Sequence, residues 1–167
     1  MNTSETTLKE IADFLAKQRK VSKREGNQKE AAIPAYNPDL CGYRGKDNTM
    51  CGIGCIIPDN IYKPHIEYAE IDQILYWKEM PATDLEGTDP VFLEETMVIV
   101  NHLFGKFKEL TDQQAISMMM QIQTFHDQDY VHLLHDYEEN PDEQLSARIY
   151  ERLHKDYTAI TNPSDQE

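Results

Sequence analysis

The sequence predicts a mainly α protein, with about five helices and one small β-hairpin in a single α-dominated α+β domain. Three observations carry that prediction. Apolar residues recur at helical spacing near the start of the chain and again through most of residues 89–160. Helix-start signals stand directly before several of these runs. One segment, residues 41–59, breaks the pattern: it holds four of the seven glycines and all three cysteines. The chain is 167 residues long, a length that suits one domain, here placed at residues 1–160 with a frayed tail at 161–167.

The first helix is expected over residues 8–25. Ser4 serves as its N-cap, Glu5 suits the first turn, and Leu8, Ile11, Ala12 and Leu15 form an apolar stripe widened by Phe14. Lys17, Arg19, Lys20, Lys23 and Arg24 crowd its C-terminal end, where cations complement the helix dipole. The same run is also a candidate basic contact patch. Gly26-Asn27 ends the helix, and a loop follows through Pro34 and Pro38.

The segment CGYRGKDNTMCGIGCIIPD comes next. Turn chemistry at Gly45-Lys46-Asp47-Asn48 favours a hairpin from Cys41 to about Ile57 over a Gly-rich loop leading into a short helix. A helix around Glu67–Lys78 would stack Ile71, Ile74, Leu75 and Trp77 on or near one face, between breakers at Pro64, Pro81 and Gly87. Asp89-Pro90 opens the central helix, which carries Val91, Met97, Val98, Val100, Leu103, Phe104 and Phe107. Thr111 and Gln114 form a capping box before a face of Ala115, Met118, Met119, Ile122 and Phe125. Asn140-Pro141-Asp142-Glu143 starts the last helix, with Leu145, Ile149 and Leu153 at i, i+4, i+8, and Asn162-Pro163 stops it.

Charge narrows the function classes. The net charge is −14, but residues 1–66 carry 10 basic and 8 acidic groups whereas residues 67–167 carry 6 and 22. Such acidity argues against an indiscriminate nucleic-acid binder, because phosphate neutralisation needs a cationic surface. The acidic part reads as a solvated helical surface or as an anionic face for a basic partner. No apolar stretch approaches the ~18 residues of a membrane span, and the N-terminus lacks a signal-peptide core, so a cytoplasmic setting is expected.

Two clusters are chemically suggestive. Cys41, Cys51, Cys55 and His65 supply four potential ligands for zinc, although no Cys-x2-Cys pair fixes two sulfurs on one turn; ordinary buried thiols are the competing reading. The run from His126 to Asp136 holds three His and three Asp. On a helix, Asp129, His132 and Asp136 share a face suited to a divalent metal, or simply form a solvated helix end, while His126 points inward beside Ile122 and Met119. The His126-Asp127 pair with His102 and Asp156 is similar to the pattern of metal-dependent HD phosphohydrolases, where a metal activates water. Serine-hydrolase, P-loop and dinucleotide motifs are absent. Arg44 beside a Gly-rich turn suits a phosphate or carboxylate, or ties the turn to an acidic helix.

Several separate strings resemble a family of short bacteriophage and bacterial proteins. They are Cys41-x-Tyr43-Arg44-Gly45, Cys51-x-x-Gly54 and Ile57-Pro58-Asp59, then Tyr62 and Glu67, and later Gln123-x-x-His126-Asp127. The likeness spans roughly residues 8–135; Cys55 and the His135-Asp136 pair fall outside its pattern. It implies a ligand-binding set of Tyr43, Arg44, Asp59, Glu67, Gln123 and His126, or residues that lock the hairpin onto the helices through buried hydrogen bonds. The expected function is a small acidic binding protein in the host cytoplasm, acting on a host protein or a small anionic, nucleotide-like ligand, with counter-defence as a fitting role. The alternative is a metal-dependent phosphoester hydrolase using His126, Asp127 and His102. No cofactor is firmly implied; zinc or another divalent metal would serve the alternative, and self-association is compatible with either.

Overall fold

The computed structural model describes residues 2–22, 42–68, 71–76, 78 and 89–162. Helix α1 (Thr3–Gln18) begins on a closed capping box. Asn2 rather than Ser4 is the cap: its side chain accepts from the Glu5 N–H (2.8 Å), and Glu5 accepts from the Asn2 N–H (3.0 Å). Ser4 is buried two positions further on. Its N–H and hydroxyl donate to Glu109 (3.3 and 2.9 Å), which also accepts from the Thr3 N–H (3.0 Å). A carboxylate from a distant turn thus meets the free N–H groups and positive dipole end of α1.

The helix stops at Gln18, well short of residue 25. Arg19 adopts a left-handed conformation (φ 48°) that turns the chain outward. Its guanidinium then donates to the carbonyls of Tyr137, Glu138 and Asn140 and pairs with Asp142 at 2.7 Å. Lys23, Arg24, Gly26-Asn27, the Pro34–Pro38 loop, Cys41, Trp77, Pro81, Gly87 and the tail beyond Asn162 lie outside the described residues.

Further helices follow as α2 (Ile71–Tyr76), α3 (Pro90–Lys106), α4 (Asp112–Thr124), α5 (Tyr130–Asp136) and α6 (Asp142–Thr161). The predicted starts of α3 and α4 are realised: Asp89 accepts from the Val91 N–H, and Thr111 with Gln114 closes a capping box. The start of α6 differs. Pro141 precedes it without a side-chain cap, while Asn140 bonds Gln144 (2.8 Å) and gives its carbonyl to Arg19. Helix α4 passes into α5 through a π-helical turn, Phe125–Asp129. The extra residue in that turn brings Phe125 and Tyr130 to the same buried side, with ring centroids 6.2 Å apart.

Helices α1 and α6 form the most extensive helix pairing. They run antiparallel, since Asn2 bonds Tyr157 (3.0 Å), Lys9 bonds Ser146 (3.1 Å) and Arg19 meets Asp142. Leu8, Ile11 and Leu15 bury against a core that includes Leu145, Ile149 and Leu153. Each such side chain contributes about 1.5–3 kcal/mol of burial free energy. The core continues through Met118, Met119 and Ile122 of α4 and Ile99, Val100 and Leu103 of α3. No helix among the described residues is long and apolar enough to cross a membrane.

The predicted hairpin is not formed. Among the described residues there is no sheet, only a single antiparallel bridge between Arg44 and Met50. The turn itself sits where its residues placed it, at Lys46–Asn48, with Asp47 and Asn48 both left-handed (φ 59° and 58°). After Met50 the backbone closes on itself: Cys55 N–H bonds the Cys51 carbonyl, Ile56 bonds Ile53, and Ile57 bonds Gly54. The Gln18 amide takes the place of a neighbouring strand, accepting from the Met50 N–H (2.7 Å) and donating to its carbonyl (3.0 Å).

Close packing explains a glycine here. A Cβ on Gly54 would lie 1.9 Å from the Tyr43 carbonyl oxygen, a backbone atom that cannot step aside, whereas one on Gly105 of α3 meets nothing. Gly54→Ala should therefore lower the urea midpoint sharply or prevent folding. Gly105→Ala should raise stability by about 0.5–1 kcal/mol, as helix propensity dictates. A second test concerns Glu109. Desolvation alone would raise its carboxyl, but the bonds from Thr3 and Ser4 outweigh that and hold it at about 2. Its folded value is depressed below its ordinary 4.5, so its contribution is full above that pH and fades as pH falls toward 2. Thermal melts should show wild type above Glu109→Gln at pH 6, with the gap closing below pH ~3.

Candidate functional site

Four of the residues singled out in the sequence meet around the carboxylate of Glu67. It accepts from the Tyr43 N–H (3.0 Å), the Arg44 N–H (2.7 Å) and the Tyr62 hydroxyl (2.7 Å). The Arg44 guanidinium donates to the Ile57 carbonyl (2.5 Å), touches the Met50 sulfur and lies over the Tyr62 ring, 5.0 Å from its centroid. It pairs with Asp59 at 2.9 Å, yet Asp59 is 93% exposed, so water screens this pair to under about 1 kcal/mol. Arg44 Nε is buried without a hydrogen-bond partner. The Tyr43 ring is in the core. Tyr43, Arg44, Asp59 and Glu67 thus tie the glycine-rich loop to the short 3-10 helix Pro64–Tyr68.

Gln123 and His126 belong to a second group. Gln123 accepts from the Ile71 N–H (3.2 Å), which fastens α2 to α4. His126 sits on the π-helical turn, fully buried and stacked on Tyr130 with centroids 5.5 Å apart. Its Nε2 accepts from the Ser22 N–H (3.4 Å), which places the ring proton on Nδ1, 3.4 Å from Asp127. The Ser22 hydroxyl donates to the Gly42 carbonyl (2.7 Å), so this group joins the first one residue before Tyr43. Gln123 and Asp127 also line a small recess of about 170 Å³ with Asp72 and Gln128.

The potential metal ligands do not assemble. Among the described residues no three His, Cys, Asp or Glu side chains come together to hold an ion. Cys51 is buried, with Sγ accepting from the Gly54 N–H (3.2 Å). Burial pushes the Cys55 thiol well above its ordinary value, so it stays protonated and unreactive near neutral pH. His65 bonds Thr96 (2.9 Å) and packs on Phe92, and burial lowers its affinity for a proton. Cys41 is outside the described residues. His102, expected beside His126 and Asp127, bonds the Ile56 carbonyl instead (2.8 Å). The face of Asp129, His132 and Asp136 also opens differently: Asp129 reaches Arg152 at 3.2 Å, and Asp136 faces His135 in solvent.

That Asp129–Arg152 contact lies in a surface groove of about 790 Å³. Asp129, His132 and Leu133 form one wall; the outer face of α6, from Arg148 to Lys155, forms the other. Arg148, Arg152 and Lys155 stand at i, i+4 and i+7, a stripe along one side of the helix. They are half of the six basic residues in the −16 portion of the chain. Glu151 pairs with Arg148 at 2.5 Å, and Arg152 is shared between Asp156 and Asp129. These bonds push both guanidiniums further toward the charged form. Lys155 and His132 have no bonded partner among the described residues. Tyr150, its ring tilted against His154 at 5.4 Å, lies around α6 from the cation stripe, toward Glu5 and Lys9 of α1. The stripe was present in the sequence, but total charge over residues 67–167 hid it.

Glu67→Gln tests the loop tie. Gln offers one acceptor oxygen and no charge to three donors, so the substitution should cost about 1.5–3 kcal/mol in urea unfolding. Limited proteolysis should then cut first within residues 42–57. Comparison of the chain with family models, with curated proteins and with solved structures returns no match.

Proposed function

We propose that the protein acts by binding rather than by catalysis, and that its ligand is a small nucleotide-like anion held in the α5–α6 groove. The observation that carries this reading is the convergence of Arg148, Arg152 and Lys155 on one groove in an otherwise acidic half of the molecule. Arg44 is the weaker anchor. Its side chain is only 17% exposed, and its guanidinium is already bonded to Ile57, Met50 and Asp59. The groove cations are more exposed and their carboxylate partners are exchangeable. Leu133 supplies the apolar surface that a base would cover. In the bacteriophage setting that the family resemblance implies, such a protein would work in the host cytoplasm by sequestering a host nucleotide, a counter-defence role.

A host protein with a basic surface is the second reading. It is favoured by the exposed carboxylates Asp136, Glu138, Glu139, Asp142 and Glu143 at the α5–α6 corner.

Thermal shift at low salt against AMP, ADP, ATP, GMP and a 5′-phosphorylated diadenylate tests the leading reading. A ligand at 100 times its Kd stabilises by about 2.7 kcal/mol, which for a chain of this size is a rise of about 5–11 °C. Arg152→Gln with Lys155→Gln should abolish the rise. No shift with any of these compounds at millimolar concentration would refute the reading.

A further inference from the structure

We infer that the recess between α2 and the join of α4 with α5 receives one arginine side chain of a basic partner segment. It shares no lining residue with the α5–α6 groove, so the inference goes beyond the anion-binding reading and stands apart from it. Asp72 and Asp127 supply its carboxylates and Gln123 and Gln128 its amides, beside apolar atoms of Ile71 and Met120. Among the described residues no lysine or arginine lines it, and neither carboxylate is paired with one.

Two of these polar groups are held from behind. Gln123 Oε1 accepts from the Ile71 N–H (3.2 Å), which fixes the amide where the two helices meet. One Asp127 oxygen lies 3.4 Å from Nδ1 of the fully buried His126; the other has no hydrogen-bond partner among the described residues. Asp72 likewise accepts from the Gln73 N–H with one oxygen (2.8 Å) and keeps the second free. The Gln123 and Asp127 of the family-like pattern therefore leave acceptor capacity at the recess, while His126 stays beneath it.

Size and donor count choose the occupant. The recess measures about 170 Å³, below the ~300–1,000 Å³ of pockets that enclose a drug-sized ligand, so it suits one side chain. A bare metal ion lacks ligands, because no three His, Cys, Asp or Glu side chains converge among the described residues. Acceptor oxygens contributed by separate elements suit a guanidinium, whose five N–H donors fan out in one plane, better than an ammonium with three on one atom. Met120 at the recess is 42% exposed, and Tyr76, 56% exposed, stands one turn along α2 from Asp72. Exposed apolar side chains beside an acceptor-lined recess fit an arginine anchor at a protein interface, since arginine and its apolar neighbours carry much of the energy there.

NMR of the full chain at low salt tests this with capped arginine, capped lysine, capped citrulline (the neutral isostere of arginine) and a capped Leu-Arg-Leu tripeptide. Capped arginine should move the side-chain amide signals of Gln123 and Gln128 saturably. Lysine should bind at least about threefold more weakly, and citrulline should not saturate. The tripeptide should bind at least about threefold more tightly than capped arginine, because its leucines cover Met120 and Tyr76. Asp72→Asn and Met120→Lys, both at exposed positions, should each weaken arginine binding about threefold to tenfold, with the rest of the spectrum unchanged. No saturable shift at Gln123 or Gln128, equal binding of arginine and citrulline, or shifts confined to the acidic corner at 136–143 would overturn the inference. Unchanged binding in both variants would do the same. Equal affinity for the tripeptide and capped arginine would make the recess a small-cation site and remove the partner. None of these outcomes bears on nucleotide binding in the α5–α6 groove.

Discussion

The architecture turns on one requirement: outside the exposed turn at Asp47-Asn48, the backbone of residues 42–57 is buried or half-buried without a sheet, so its polar groups must find partners elsewhere. Side chains from four other places supply them. Glu67 takes two consecutive N–H groups, Gln18 takes both polar groups of Met50, Ser22 takes the Gly42 carbonyl, and His102 bonds the carbonyl of Ile56. An unpaired buried backbone group costs as much as a lost hydrogen bond, so each of these side chains is held as firmly as a core residue. The ends of α1 and of the 3-10 helix at Pro64–Tyr68 are positioned by the same demand.

From that clamp the rest follows in order. Ser22 connects it to His126, and burial of His126 fits the π-helical turn, because the added residue swings the ring beneath Tyr130. The Tyr130 hydroxyl then donates to the Leu15 carbonyl (2.5 Å), returning to α1. The far end of the turn, Asp129, projects to Arg152 and helps to shape the groove. The residues that resemble a phage-protein pattern therefore lie mostly inside a bonded scaffold, and the groove proposed to bind ligand begins at Asp129, the last residue of the π-helical turn. Polar residues satisfied by their neighbours build the frame; cations with exchangeable or absent partners face the solvent.

Much of the secondary structure was legible. Asp89-Pro90 and Thr111-x-x-Gln114 act locally, through side chains that satisfy N–H groups two or three residues away, and both starts are realised. The apolar faces of α1, α4 and α6 are likewise local consequences of 3.6-residue spacing. The misjudged boundaries share one cause. Arg19 ends α1 because carbonyls more than a hundred residues away receive its guanidinium, and Asn140 fails as a cap because its carbonyl is among them. Ser4 yields to Asn2 because Glu109 claims its hydroxyl.

The sequence by itself determined the helical class, the turn at Lys46–Asn48 and the burial of His126, since composition, local capping and periodicity act over a few residues. The resemblance implied one set of Tyr43, Arg44, Asp59, Glu67, Gln123 and His126, of which only the first four meet around Glu67. Tertiary structure alone decided that the hairpin would be a single bridge, that the cysteines and histidines would not converge on an ion among the described residues, and that the cation stripe of α6 would face α5 across a groove. The reason is physical. Whether a polar or charged side chain is satisfied or left facing solvent depends on which distant groups folding brings within about 3 Å of it.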